Sequence, residues 1–254
     1  MRLLLVATAC IALAARADGL DRDNLFTEAP AVPAKGTVRI SGMTTGTSAD
    51  TGVNGTQGQA NVLGTIQWTP VENLAGDVGM YWQVGANGPS ARVRYQILSQ
   101  QRAALDLSAG VRFKTVGFNP DQGEVEFLLL AGRRFGQLEL VLNGVFGVET
   151  GGESGKDIEG RAFAGYRFNE DVRTGVDGRL QAEVADEGQT APNAPPKTGR
   201  DYDLTVGPSI SWIVARNLSG VARNLQLQAL VGVAQPKRTD TTSAVGILSA
   251  SIDF

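Results

Sequence analysis

Five pairs of ionisable side chains set two residues apart within apolar-alternating stretches stand out in this chain: Arg92 and Arg94, Arg112 and Lys114, Glu124 and Glu126, Glu159 and Arg161, Asp177 and Arg179. A spacing of two places both members of a pair on one face of a β-strand. The intervening residues, Val93, Phe113, Val125, Gly160 and Gly178, are apolar or small. Strand faces bearing charges of both signs suit a wet lumen, where they can act as a filter on a passing solute. In that reading Arg92, Arg94, Arg112 and Lys114 form a basic strip facing an anionic solute. The same groups would equally balance Asp77, Asp106 and Glu124. Glu124 and Glu126 pose the same choice between a filter and neutralisation by Arg134, Arg161 or Arg179. Asp201 and Asp203 could hold calcium at a rim or be ordinary inward positions.

Other chemistry is missing from the sequence. There is no histidine to serve as a base or a triad partner. No G-x-S-x-G, phosphate loop or zinc spacing occurs. The glycines at 52, 55 and 58 have no strand-to-helix context. No catalytic activity, cofactor or metal is therefore expected. The one cysteine, Cys10, lies within MRLLLVATACIALAARADG, where Arg2 precedes an apolar run and Ala15-Arg16-Ala17 precedes Asp18. That pattern predicts a secretory signal peptide over residues 1–17. Its apolar run is too short for a bilayer-spanning helix. Loss of Arg2 and Arg16 would move the net charge from −3 to −5. An acidic chain of this kind is not expected to bind nucleic acid.

These charges need rigid elements to hold them, and the period of two supplies strands almost everywhere. Leu105, Leu107, Ala109, Val111 and Phe113 alternate with Asp106, Ser108, Arg112 and Lys114, and Leu225 to Val233 alternates in the same way. About twelve strands are predicted, near 36–43, 59–68, 76–85, 90–98, 104–114, 123–134, 137–148, 156–168, 172–184, 201–213, 224–234 and 243–254. Ten and fourteen are the neighbouring even counts, because 69–103 has the least defined turns. Most of these strands have the length of tilted membrane strands rather than globular ones. Long Gly/Ser/Thr-rich connections at 44–58, 149–155 and 185–200 follow odd strands, and mostly short ones follow even strands. The Val-Ala-Arg-Asn-Leu repeat at 214–218 and 221–225 reads as a duplication in an exposed turn. Residues 18–35, acidic and then proline-rich, read as a flexible N-terminal linker on the periplasmic side. Pro208 predicts a bulge.

Three features place the apolar faces outside. Their many Ala and Gly residues are too small to fill a closed sheet this wide. The polar faces carry mid-strand charge. Outward-parity Trp68, Tyr166, Phe168, Trp212 and Phe254 cluster at the short-turn ends, as in an interfacial aromatic girdle. The last strand, with Leu248, Ala250, Ile252 and Phe254 on one face, resembles the C-terminal signal of bacterial outer-membrane β-barrel proteins. That resemblance covers residues 36–254 and names no subfamily. It implies an all-β, antiparallel up-and-down transmembrane barrel in the cell outer membrane, surrounded by lipid. It also implies recognition of the last strand by the barrel-assembly machinery. The leading function is porin-like passage of small solutes, the solute itself being unspecified. The rival is a structural or surface-interaction barrel plugged by its own side chains, for which inward-parity Leu63, Leu98, Leu128, Leu130 and Phe163 speak.

Overall fold

The computed structural model describes residues 20–48, 60–83, 86–150, 155–185, 201–218, 220–237 and 240–254. The expected signal peptide, and most of the connections at 44–58, 149–155 and 185–200, lie outside the described residues. Twelve strands follow in chain order: β1 (Val38–Thr47), β2 (Ala60–Val71), β3 (Leu74–Gln83), β4 (Ala86–Leu98), β5 (Asp106–Val116) and β6 (Asn119–Phe135), then β7 (Leu138–Glu149), β8 (Lys156–Arg167), β9 (Val172–Ala185), β10 (Tyr202–Leu218), β11 (Ala222–Gln235) and β12 (Ser243–Asp253). Each pairs antiparallel with its sequence neighbour, and β1 pairs with β12, so the sheet closes into a barrel.

Closure leaves no free edge, as a sheet in lipid requires, because an unpaired backbone group there has no water to turn to. The seam runs in register from Arg39 opposite Asp253 to Thr47 opposite Val245. An ion pair holds its short-turn end: Arg39 Nε and Nη2 donate to the Asp253 carboxylate at 2.6 and 3.1 Å. Beyond it, the Phe254 N–H donates to the Val38 carbonyl at 2.8 Å.

The pleat then divides the side chains. Val78, Val93, Leu129, Leu142, Val176 and Leu248 are each more than half exposed on the outer wall, whereas Arg94, Ser108, Leu130 and Asp177 are buried inside. This inverts the arrangement of a water-soluble domain, and the apolar outer wall is the surface a bilayer core covers.

Local departures from the sequence reading have identifiable causes. β6 begins at Asn119, because Gly117 and Phe118 both take positive φ (58° and 63°) and form a two-residue turn. The Val-Ala-Arg-Asn-Leu repeat is not a turn insertion: 214–218 completes β10, and β11 starts at Ala222 within the second copy. Pro208 sits opposite Val176 without a register shift, and the irregularity in β10 falls between Ile213 and Ala215 instead. Leu98 is exposed, since an irregularity between Gln96 and Leu98 reverses its parity.

The largest correction concerns residues 18–35. From Leu20 onward this stretch is not a free linker: it folds back inside the barrel, and Leu20, Leu25 and Thr27–Ala31 are buried there. Gly36, at φ 85°, makes the sharp turn from β1 into the lumen that a side chain would resist. Gly132 makes the room. A Cβ on it would lie 2.7 Å from both Leu20 Cδ1 and Pro30 Cγ.

The inside-out assignment is open to a direct check. Leu248 lies midway along β12 on the outer wall, so Leu248→Arg should destabilise the vesicle-embedded barrel by about 2–4 kcal/mol in urea unfolding. An unchanged midpoint would mean that water, not lipid, meets that face.

Candidate functional site

The candidate site lies at mid-height in the lumen, where adjacent strands bring charged residues into cross-strand register. Asp77 faces Arg92, Arg92 faces Arg112, and Arg112 faces Glu126. Like charges opposite one another are unfavourable, yet Arg92 and Arg112 stand side by side because a third group lies between them. That group is Glu28, from the segment that enters the lumen. Arg112 Nη1 lies 2.9 Å and Arg161 Nη1 2.8 Å from Glu28 Oε1, and Arg92 Nη1 binds Oε2. Burial would raise the Glu28 carboxyl, but Arg92, Arg112, Arg161 and the more distant Arg94 together hold it well below the usual carboxylate range.

Each arginine of this cage also has a carboxylate on the barrel wall. Arg92 Nε donates to Asp77 at 2.6 Å, Arg112 Nε to Glu126 at 2.5 Å, and Arg161 Nε to Glu159 at 2.7 Å. Lys114 extends the network toward the long-loop end, 2.8 Å from Glu124 and 2.7 Å from Glu126. Arg179 pairs with Asp203 at 3.3 Å. Glu124 and Glu126 are thus neutralised by Arg112 and Lys114, not by Arg134.

Around Glu28 the entering segment forms a hairpin, closed by the Ala31 N–H donating to the Leu20 carbonyl at 3.1 Å. Asp177 holds its tip. The carboxylate accepts the N–H groups of Leu25, Phe26 and Thr27 at 2.9, 2.8 and 3.3 Å, and the Thr27 hydroxyl at 3.2 Å. Asn143 accepts the Glu28 N–H at 2.6 Å and donates to its carbonyl at 3.0 Å. Gln96 accepts the Val32 N–H at 2.9 Å, Ser108 donates to the Pro30 carbonyl, and Arg94 to the Ala29 carbonyl. A buried loop backbone is tolerable only with its polar groups satisfied in this way.

Apolar contacts complete the seat. Leu25 packs with Leu230, Ala234, Val245 and Ile247, with Phe26 and Met43 against them, and Leu20 packs with Val141 and Phe163. Leu128 and Leu130 cluster with Val145. The hairpin therefore enters at the short-turn end, where Leu20 meets Val141 and Phe163, and its tip reaches Val245 and Ile247 near the start of β12, on the long-loop side. Beside it a cavity of about 660 Å³ opens at the short-turn rim, bordered by Arg22, Arg134, Arg167, Arg173 and Arg216.

All ten residues singled out from the sequence as lumen charges, Arg92, Arg94, Arg112, Lys114, Glu124, Glu126, Glu159, Arg161, Asp177 and Arg179, point inward. Of these, Arg92, Arg112 and Arg161 converge on Glu28, while Asp177 serves the hairpin tip. Trp68, Tyr166, Phe168 and Trp212 are exposed at the short-turn end, with Phe254 half-buried beside them, and Tyr166 and Phe168 stack edge to face at 5.1 Å. Glu28, Asn143, Gln96 and Ser108 had not been singled out. One signal was present: Leu20, Leu25 and Phe26 are large apolar residues that a solvated linker has no reason to carry.

The closed twelve-stranded antiparallel meander with an apolar exterior and a charged interior defines a porin-like outer-membrane β-barrel. No protein-family model and no curated protein matches the sequence. Solved structures match the fold. A KdgM porin superimposes with a TM-score of 0.54 at 13% identity, covering 85% of this chain and 99% of that one. A NanC porin gives 0.58 at 7%, over 84% and 98%. An outer-membrane channel from Pseudomonas putida F1 gives 0.58 at 13%, over 92% and 100%.

Two measurements probe the seat. Asp177→Ala leaves the buried amides of Leu25 and Thr27 and the part-buried amide of Phe26 without a partner, at about 1–3 kcal/mol for each buried one. Hydrogen exchange at Ala29 and Val32, which do not touch Asp177, should then accelerate at least about tenfold as the hairpin opens as a unit. Unchanged protection there would show that the hairpin is not one cooperative element. The second concerns Glu28. Its folded pKa is depressed, so its contribution to seating is complete above the unfolded value of about 4.3 and is lost only as pH falls through the lower folded value. In ¹³C-glutamate-labelled protein, the carboxyl resonance missing from Glu28→Gln should not titrate between pH 7 and about 4; a midpoint near that of a free glutamate would contradict the cage.

Proposed function

We propose that this chain is an outer-membrane channel that passes small solutes through a narrow, charged lumen and catalyses no reaction. What carries this reading is the state of the charges above the hairpin. Toward the long-loop end, Lys114, Arg179 and Asp203 are about one-third exposed although they face the barrel interior. Water therefore reaches the lumen from that side, and the arginine-bordered cavity of about 660 Å³ admits it from the other. The hairpin, with Glu28 buried in it, separates these two wet vestibules. The constriction between them combines the exchangeable ion pairs of Glu28 with the apolar contacts of Leu20 and Leu25.

The fold shared with porins and channels supports the same reading at the level of architecture. Export would proceed through cleavage after Ala17, and the strand ending in Ile252-Asp253-Phe254 would present the assembly signal to the barrel-assembly machinery. Lipid is the partner of the outer wall.

A second reading has a specific observation behind it. The hairpin fills the lumen from the short-turn end to beyond its middle, as it would in a structural or surface-interaction barrel that transports nothing.

Planar-bilayer recording separates the two. The channel reading expects small, salt-dependent unitary currents from the wild-type protein. It expects larger currents from Gly132→Val, in which the added side chain collides with Leu20 and Pro30. Silence from both proteins, each verified as folded by its shift on unboiled gels, would leave only the plugged barrel.

A further inference from the structure

We propose that Arg92, Arg112 and Arg161 form a binding site for a small carboxylate, which the chain's own Glu28 occupies as a tethered ligand. A carboxylate solute arriving from the long-loop half competes with Glu28 for this site, and its binding unlatches the hairpin. The mobile half of this statement rests on the channel reading above; the binding half does not.

The site is built before any ligand enters. Three guanidinium groups from β4, β5 and β8 converge on one carboxylate, and each is oriented by its own wall partner, Asp77, Glu126 or Glu159. Arginine forks held in this way match carboxylate geometry without further ordering of the side chains. Removing Glu28 therefore leaves the cage in place.

Its charge balance also calls for an anion. At the cage itself the strands contribute Arg92, Arg94, Arg112 and Arg161 against Asp77, Glu126 and Glu159. The wall there thus carries one positive charge in excess, although Glu124 and Asp157 beside Lys114 offset it further up. The hairpin supplies the compensation: Glu28 in the cage, and Asp23 at 3.8 Å from Arg92 and 3.6 Å from Arg94. Arg94 is only 1% exposed, yet its Nε and Nη2 have no hydrogen-bond partner. A buried guanidinium with idle donors beside the cage reinforces its preference for negative charge.

Access is one-sided. Glu28 is covered, whereas the Arg112 and Lys114 side chains are 20% and 35% exposed toward the long-loop half. A solute from that side meets the cage from above, while Glu28 is anchored at its backbone by Asn143, level with Arg161, and through the hairpin tip by Asp177. The two ligands share the arginines but not the route, as competition requires. Because Glu28 is tethered, it competes at an effective concentration of the order of millimolar or higher, so free carboxylates bind the wild-type barrel weakly.

Calorimetric titration of glutarate, a small dicarboxylate each end of which reproduces the carboxylate and methylenes of the glutamate side chain, into the detergent-folded full chain tests the proposal. Glu28→Gln should bind glutarate at least about tenfold more tightly than wild type, and glutaramide, its uncharged analogue, should bind to neither. Equal glutarate affinities, or glutaramide binding as well as glutarate, would overturn it. Should Glu28→Gln fail to fold, the wild-type chain still decides. About 100 mM glutarate should accelerate hydrogen exchange at Ala29 and Val32 relative to the same ionic strength of chloride, and no acceleration would sink the idea. Neither readout requires current, so a barrel that binds glutarate yet stays silent in bilayers would refute the channel reading alone.

Discussion

The pairing of β1 with β12 is the constraint on which everything else depends. In lipid every backbone N–H and C=O needs a partner within the protein, and a sheet meets that demand only by closing on itself. Once closed, twelve strands with strict alternation have no freedom about which residues face in. Glu126, Arg112, Arg92 and Asp77 are neighbours because the register of four consecutive strands makes them so. The seam carries its own specification in the Arg39–Asp253 ion pair, which a slip of one residue would turn to the opposite face.

Closure creates a second problem, which the hairpin answers. A twelve-stranded barrel is too wide for its own side chains to fill, and the inner wall is not uniformly polar. Val141 and Phe163 face inward toward the short-turn end, and Leu230, Val245 and Ile247 face inward from the middle and long-loop parts of β11 and β12, where water alone would solvate them poorly. Leu20, Leu25 and Phe26 cover them. On β4, β5 and β8 the wall carries ionised groups instead, and the hairpin changes with it, presenting Glu28. The segment and the wall are complementary along their length, apolar against apolar and anion against cations. On the long-loop side of Glu28 the charges on β5 and β6, and those on β9 and β10, pair with one another and stay partly exposed, and that part of the lumen is wet.

How much of this was legible in the sequence follows from where the determining interactions lie. Strand content and inside-out polarity are local properties: alternation over about ten residues declares itself without reference to the rest of the chain. Boundaries were misread where local chemistry imitates another element. Asn119-Pro120-Asp121-Gln122 looks like a loop but opens β6, since the turn is made by the two residues just before it, Gly117 and Phe118, both with positive φ. Pro208 looks like a ladder defect, yet the β9 and β11 registers run through it unshifted. The hairpin had no local signature of position. Asp177 is about 150 residues from the amides it accepts, and Asn143 is 115 residues from Glu28. A proline-rich acidic stretch with such distant partners reads as a linker until the closed wall brings those partners together.

The energetics of the cage set its functional character. A fully buried carboxylate costs several kcal/mol in lost hydration, and only close, well-oriented cations offset that. Three arginines do so for Glu28. All three nevertheless retain wall carboxylates of their own, so the cage does not depend on Glu28 in the way that Glu28 depends on the cage. This asymmetry separates a latch from a structural ion pair. If the arginines had no other partner, withdrawing Glu28 would leave cations stranded in the wall and the barrel would resist it. Because Asp77, Glu126 and Glu159 remain, the barrel keeps its geometry, and the cost of withdrawal falls on the hairpin. The hairpin is the element with no sheet pairing of its own, so the weakest part of the molecule is also the part that stands between the two vestibules.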